Sequence, residues 1–487
     1  MTAETTVPSL RLFVAGDWSS AGSGATFEAT SPSTGERIAL IARGDRADAR
    51  RAIEAAAAAS PAWAARSAFE RAAALERVAR IIESRRDELA RTLTLDQGKP
   101  LHAEAYAEVD ELIAYFTMAA ADATRLDGLL MPSMDAAKRV LVYRVPLGVV
   151  GVITPWNWPY TMPGELIAPG LAAGNTVVWN PASSTSLCAV RLAECLVEAD
   201  LPAGVFNLVT GPGAEVGDEI AANPGTAAIG FIGSIEAGRM VAQRAAGKEV
   251  ILEMGGNGPL VVLDDADVER AAAATLTACF LNAGQSCTAG ERVLVHEAVH
   301  DAYVEALSAA IAREIRVGDP FEPATTMGPL NNEPNAAKTE RHVEGAVAGG
   351  ARLVSGGRRL DGFGSRLFFE ATVLDGVTET MEVARDETFG PVAPITTIRS
   401  VDEAIRVVND SPFGLLAAVF TRDLASGLRF AESVRAGWVN INDGTNYWES
   451  HLPFGGRAGS QSGLGRVGGR FSMERLTELK TVVVNLA

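Results

Sequence analysis

Asn207-Leu-Val-Thr-Gly211-Pro-Gly213-Ala-Glu-Val-Gly217 decides the fold: an apolar run passes through glycines into a segment with helical spacing. Phe231-Ile-Gly233-Ser234-Ile-Glu-Ala-Gly238 repeats the arrangement one unit later. Glycines between a strand and a helix N-terminus let backbone N–H groups reach phosphate oxygens. The first element reads G-x-G-x-x-x-G rather than the dinucleotide fingerprint G-x-G-x-x-G, so an ordinary strand–helix turn explains either element as well when it is taken alone. The alternation around them carries more weight. Residues 139–143 and 149–153 read as strands, 165–171 as helix, 176–179 as strand and 184–198 as helix. Strands at 205–209, 228–232 and 250–253 then alternate with helices at 214–222 and 235–246. That rhythm predicts a parallel sheet covered on both faces, an α/β fold with a Rossmann-like domain.

A second alternation follows Gly256, with strands at 260–263 and 292–295, helices at 268–281 and 301–311, and further elements at 396–398, 401–408, 417–420 and 438–441. Ahead of both, residues 8–42 read as short strands and turns. Residues 46–94 read as two or more amphipathic helices and 103–121 as another. No repeat or low-complexity linker separates these parts, so the domains are expected to pack tightly. The terminal run Thr481-Val-Val-Val-Asn-Leu-Ala487 is a bare apolar strand, expected to pair with another subunit.

A chain of 487 residues is too long for one core and implies two or three domains. Its net charge of -17 argues against nucleic acid and against an anionic membrane surface as partners. Cysteines 188, 195, 279 and 287 form no C-x-x-C pair, which fits free thiols in a reducing, cytoplasmic setting. Cys188 and Cys195 lie two helical turns apart and read as core. Met1-Thr-Ala-Glu-Thr-Thr shows no basic region ahead of an apolar run, so no signal peptide is expected. Residues 145–190 carry a single charge, Glu165, yet six prolines break them too often for a membrane-spanning helix.

Three stretches carry chemistry. Asn282-Ala-Gly-Gln-Ser-Cys287 offers a thiol behind a glycine, and Glu253-Met-Gly-Gly256 a carboxylate beside two more. A thiol and a carboxylate in one crevice serve two-stage acyl chemistry: a nucleophile that is acylated and a base that delivers water. Thr154-Pro155-Trp156-Asn157-Trp158-Pro159 follows a strand, and the Asn157 amide there is either an oxyanion donor or a turn residue. His296-Glu-Ala-Val-His300 spells a zinc-protease motif, but a strand ends at His296 and a helix starts near His300, so the imidazoles do not share a helical face. No metal site is expected.

These motifs together resemble the aldehyde dehydrogenase superfamily, nearly end to end. The likeness also rests on Ala173-Gly-Asn-Thr-Val-Val178, Phe231-Ile-Gly-Ser234, Glu387-Thr-Phe-Gly-Pro-Val392, Pro453-Phe-Gly-Gly456 and Ser462-Gly-Leu-Gly-Arg466. The resemblance implies a nucleotide-binding domain (1–124 and 147–255), a catalytic domain (256–458) and a small β oligomerisation flap (125–146 and 459–487). It implies oxidation of an aldehyde to the free acid with hydride transfer to NAD(P)+. Cys287 is then the nucleophile, passing through a thiohemiacetal and a thioester. Asn157 and the Cys287 N–H hold the oxyanion, and Glu253 activates the hydrolytic water. Thr154, Pro155, Trp156, Asn180, Ser183, Gly213, Gly217, Phe231, Gly233, Ser234, Gly255, Glu387 and Phe389 surround the cofactor. Trp158, Tyr160, Glu165, Trp448, His451 and Phe454 border the substrate channel, with Met118 and Tyr447 near its entrance. A homodimer or homotetramer is implied.

The chain departs from the family pattern at four places. Asn180 and Ser183 stand where lysine and glutamate usually touch the adenosine ribose, which leaves NADP open while NAD is favoured. Glu165 and Leu166 replace tryptophan and lysine in the channel, leaving the choice of aldehyde unread. The rival readings are a CoA-acylating semialdehyde dehydrogenase, disfavoured by Glu253, and a non-catalytic ligand-binding or structural member, disfavoured by Cys287, Glu253 and Asn157 together.

Overall fold

The computed structural model describes residues 7–487; the first six residues, and with them the reading on a signal peptide, lie outside the described residues. Two largely parallel sheets organise the chain. The first has eight strands, in the order Gly463–Leu464, Glu249–Met254, Ala228–Gly233, Val149–Thr154, Thr176–Pro181, Phe206–Leu208, Leu12–Val14 and Asp17–Ser19. Its central strands are parallel and buried almost throughout, which is why they read as continuous apolar runs rather than as alternating ones. The second has seven, in the order Arg352–Ser355, Thr372–Asp375, Val392–Ile398, Arg292–His296, Pro259–Val262, Leu416–Phe420 and Trp438–Ile441. Each sheet packs its own apolar core against flanking helices.

The helical stretch after residue 45 resolves into Arg46–Ala64, Ala68–Ser84 and Arg86–Gln97. The first two open on reciprocal capping boxes, Asp45 with Asp48 and Ser67 with Glu70. The helix expected from 103 begins instead with a single π-helical turn, Leu101–Ala105, before Tyr106–Ala123. A second π turn, Gly213–Gly217, precedes Asp218–Ala222 where one helix was expected. The proline-broken passage contains helix Thr161–Ala172, buried at every position. Pro163 sits in its first turn, where the missing N–H would have had no helical acceptor.

The C-terminal strand finds one partner within its own chain and stands at an edge of a three-stranded sheet. Thr477–Asn485 pairs antiparallel with Lys138–Pro146 of its own chain over nine residues, because that strand offers a matching apolar ladder. Leu129–Met131 adds a third strand. Register puts Leu130, Leu141 and Val482 side by side on one face and Met131, Val140 and Val483 on the other. Leu130, Leu479 and Val483 are more than half exposed in the single chain. Residues 463–464, by contrast, complete an edge of the first sheet instead of joining this flap.

Candidate functional site

The thiol loop begins where helix Val268–Phe280 ends. Asn282, Ala283 and Gly284 take φ of 51°, 52° and 73°, three successive left-handed residues. Side chains disfavour that region by about 1–3 kcal/mol each, so the surroundings must hold the turn. Glu104 accepts from the Asn282 N–H at 2.9 Å, and Gln97 Nε2 donates to Asn282 Oδ1 at 2.9 Å. The Asn331 N–H donates to Gln285 Oε1 at 2.8 Å, and Gln285 Nε2 donates to the Asn282 carbonyl at 2.8 Å. Gly284 presses on Gly390, where any Cβ would stand 2.1 Å from the carbonyl oxygen. Cys287 emerges partly exposed.

Glu253 reaches the thiol from the end of strand Glu249–Met254. Gly256 permits that approach, since a Cβ there would lie 2.3 Å from the Cys287 carbonyl oxygen. The carboxyl is buried, and its Oε1 has no protein hydrogen-bond partner. Burial, then the charges of Glu165 and Glu387, hold Glu253 well above the usual carboxylate range. Burial and the same carboxylates hold the Cys287 thiol well above its ordinary value. Both shifts favour the protonated forms. Asn157 Nδ2 donates to the Gln285 carbonyl at 3.1 Å, while its own carbonyl accepts from Asn282 Nδ2 at 3.0 Å. Asn157 lines the larger cavity with Cys287, and its second amide hydrogen has no protein acceptor among the described residues.

Two cavities meet at this point. The larger, about 860 Å³, is lined by Trp156, Gly233, Ser234, Lys338, Glu387 and Phe389 among others. The smaller, about 500 Å³, is lined by Trp158, Thr161, Glu165, Trp448 and Phe454. Met162, Ile232, Glu253 and Cys287 belong to both. The larger cavity opens at the C-terminal end of Ala228–Gly233, where helix Ile235–Arg244 presents its N-terminal N–H groups. Trp156 and Phe389 meet edge to face at 5.5 Å, forming an apolar wall. Glu387 accepts from the Gly256 N–H at 2.8 Å, and Gly255 is bare because a Cβ would meet its carboxyl oxygens at 2.7 Å. Burial lifts Glu387 to about 7. An aromatic wall, a carboxyl for sugar hydroxyls and a helix N-terminus for phosphate suit a nicotinamide dinucleotide.

Other expected residues sit elsewhere. Pro155 and Gly255 line the larger cavity, but Thr154, Asn180, Ser183, Gly213, Gly217 and Phe231 do not. Thr154 Oγ1 accepts from Trp179 Nε1 at 2.9 Å. Asn180 is buried and donates its amide to the carbonyls of Val209 and Gly211 at 2.9 and 3.2 Å, and the Ser183 hydroxyl lies 3.5 Å from the same Gly211 oxygen. A Cβ on Gly217 would come within 3.1 Å of Asn180 Oδ1, so that glycine serves helix–strand packing. Tyr160 lies fully buried in the first core, whereas His451 is largely exposed and Met118 is half-buried; none of the three lines the smaller cavity. His296 and His300 occupy a strand end and a helix start, bonded to the Arg399 carbonyl and to Asp375 respectively. No cluster among the described residues is arranged to hold a metal ion.

The sequence reading missed Glu291. Its carboxyl accepts from the Thr388 and Phe389 N–H groups at 2.8 and 2.6 Å and so holds Phe389 at φ 56°. It also missed Lys338, whose ammonium stands 5.8 Å over the Phe389 ring. Neither sits in a motif; only long-range contacts reveal them.

A family model described as the aldehyde dehydrogenase family matches residues 18–482. The chain is 40% identical to glutarate-semialdehyde dehydrogenase of Pseudomonas putida, covering 97% of each. It is 39% identical to an NADP(+) succinate-semialdehyde dehydrogenase of Escherichia coli, again over 97% of each. Among solved structures it superposes on an NAD-dependent aldehyde dehydrogenase from Sinorhizobium meliloti with a TM-score of 0.95 and 36% identity, covering 99% of this chain and 96% of that one.

Proposed function

The chain belongs to the aldehyde dehydrogenase family, and from that premise we propose that Cys287, Glu253 and Asn157 carry out its oxidation of an aldehyde to the free acid. The reading rests on one observation: the two cavities share Cys287 and Glu253 as common wall. Cys287 Sγ adds to the carbonyl carbon of an aldehyde in the smaller cavity, and its proton passes to ionised Glu253. The carbonyl π electrons move to oxygen, and the free Asn157 amide hydrogen with the Cys287 N–H stabilises that oxyanion. Trp156, Gly233, Ser234, Glu387 and Phe389 would hold a nicotinamide dinucleotide in the larger cavity, where it would supply the hydride acceptor needed to take the thiohemiacetal to a thioester. Glu253 gives up that first proton to solvent and then removes a proton from water as the water adds to the thioester carbon; collapse expels the Cys287 thiolate, which takes this proton from Glu253. The orphaned Glu253 Oε1 leaves an acceptor for that water.

NAD is the dinucleotide we assign. The side chains at 180 and 183 are uncharged, and the Asn180 amide is already committed to backbone carbonyls, so no cation there awaits a 2′-phosphate. We further assign the domain division given above, with the flap confined to Leu129–Met131, Lys138–Pro146 and Thr477–Asn485, and a homo-oligomer built on that flap. A cytoplasmic setting accords with four free cysteines and with the absence, among the described residues, of a helix able to cross a membrane.

Glu253→Gln should release one equivalent of reduced dinucleotide in a rapid burst and then stall at the thioester, while Cys287→Ala should give no burst. Stopped-flow absorbance with NAD and with NADP reads both outcomes. A normal steady state for Glu253→Gln would remove Glu253 from the role of base.

A further inference from the structure

The lining of the smaller cavity is ill suited to a semialdehyde that ends in a carboxylate. Two glutamates, Glu165 and Glu253, are among its described lining residues, and no lysine, arginine or histidine is. Glu165 is buried on a helix that is otherwise uncharged. Tyr115 donates its hydroxyl to one carboxyl oxygen at 3.1 Å, and Glu165 is among the residues lining the cavity. A third carboxyl, Glu111, lies just behind, accepting from the Thr161 hydroxyl at 2.7 Å. Lys99 sits 3.6 Å from the Trp158 ring centroid, but it is tied to Glu108 in a buried ion pair and is not part of the lining. Aromatic faces complete the chamber. Trp448 lies 5.8 Å from Phe454 and 6.4 Å from Tyr115, centroid to centroid.

Building on the assignment of this cavity to the aldehyde, we propose that the enzyme prefers aldehydes whose far end is an ammonium group, with Glu165 as its counter-ion and the rings of Trp448 and Phe454 as its walls. A carboxylate tail there finds ring faces that repel it, carboxyls that it would keep protonated, and no cation among the described lining residues to offset its charge. An ammonium tail finds an opposite charge, and aromatic quadrupoles that attract cations most strongly where water is excluded. Burial, opposed by the Tyr115 hydrogen bond, lifts Glu165 to about 8, so a seated cation ionises it and displaces its proton. Selection thus works through repulsion of the wrong charge as much as attraction of the right one.

Three aldehydes with the same three-methylene spacer test this: 4-(trimethylammonio)butanal, its neutral carbon analogue 5,5-dimethylhexanal, and 5-oxopentanoate. The expected order of kcat/KM is cation, neutral, anion, with the extremes at least about tenfold apart. Glu165→Gln should shrink the cation-to-neutral ratio by about tenfold, and Glu165→Arg should favour the anion over the cation. Preference of the native enzyme for the anion, or an equal fall for all three substrates in Glu165→Gln, overturns the proposal. A second measurement needs no turnover: the rate at which iodoacetamide alkylates Cys287 in the presence of butyltrimethylammonium or pentanoate. Protection by the ammonium ion alone, lost in Glu165→Gln, supports the proposal, and protection by pentanoate alone or by neither ion defeats it. Failure of all three aldehydes to turn over, with ammonium protection intact, would strike the oxidation chemistry while leaving the ion preference standing.

Discussion

At the scale of single residues, the site works against its own resting charge. Glu253 must be ionised to act as base, yet burial and two neighbouring carboxylates keep its proton on. A raised carboxyl pKa means the base form appears only as pH climbs, and the raised thiol pKa pushes nucleophilic attack in the same direction. Turnover should therefore keep rising with pH above the ordinary carboxylate range instead of levelling off within it. A flat pH–rate profile above that range would contradict the assignment. Asn157 offers a single free amide hydrogen, and Asn157→Ala should lower kcat about 100–1000-fold; a twofold loss in steady-state assays would reduce it to a loop residue. Cys287, Glu253 and Asn157 were legible because each sits in a short, strongly patterned stretch. Glu291 was not: it acts on Thr388 and Phe389, about a hundred positions away, through contacts that leave no local pattern.

At the scale of elements, the thiol loop and the strand carrying Glu253 meet because Gly256 has no side chain. Gly256→Ala must push the Cys287 carbonyl outward, since the added carbon would fall 2.3 Å from it. Misplacement near 1 Å costs catalysis about 100-fold, so kcat should fall by that order while Km for the dinucleotide changes less. Unchanged kcat would mean the loop can shift freely. Most elements followed from apolar periodicity, but two details did not. The π turns at Leu101–Ala105 and Gly213–Gly217 keep helical spacing in sequence and differ only in which carbonyl each N–H meets. The phosphate-type glycines were also misleading in part. Gly233 reaches the cavity, whereas Gly217 accommodates Asn180, and both uses place glycine after a strand.

At the scale of the whole molecule, two large sheets build a crevice, and one of two small three-stranded sheets is left uncovered. A three-stranded ribbon with apolar residues on both faces lacks the second layer that sheets require. Changing Leu479 and Val483 to Glu alters side chains already exposed in the single chain, so the fold should survive. Sedimentation should then show monomers where the native protein is expected to sediment as the proposed dimer or tetramer, and an unchanged particle would place the interface elsewhere. The pairing of residues 477–485 within the chain was unreadable because its partner strand lies more than three hundred positions earlier. The fastenings of the thiol loop have the same reach: Gln97 and Glu104 come from the first part of the chain, Asn331 and Gly390 from the last third. During synthesis, the emerging polypeptide therefore carries its sulfur for a hundred residues before the means to position it leave the ribosome. The geometry that positions the sulfur therefore exists only once the last third of the chain has been made.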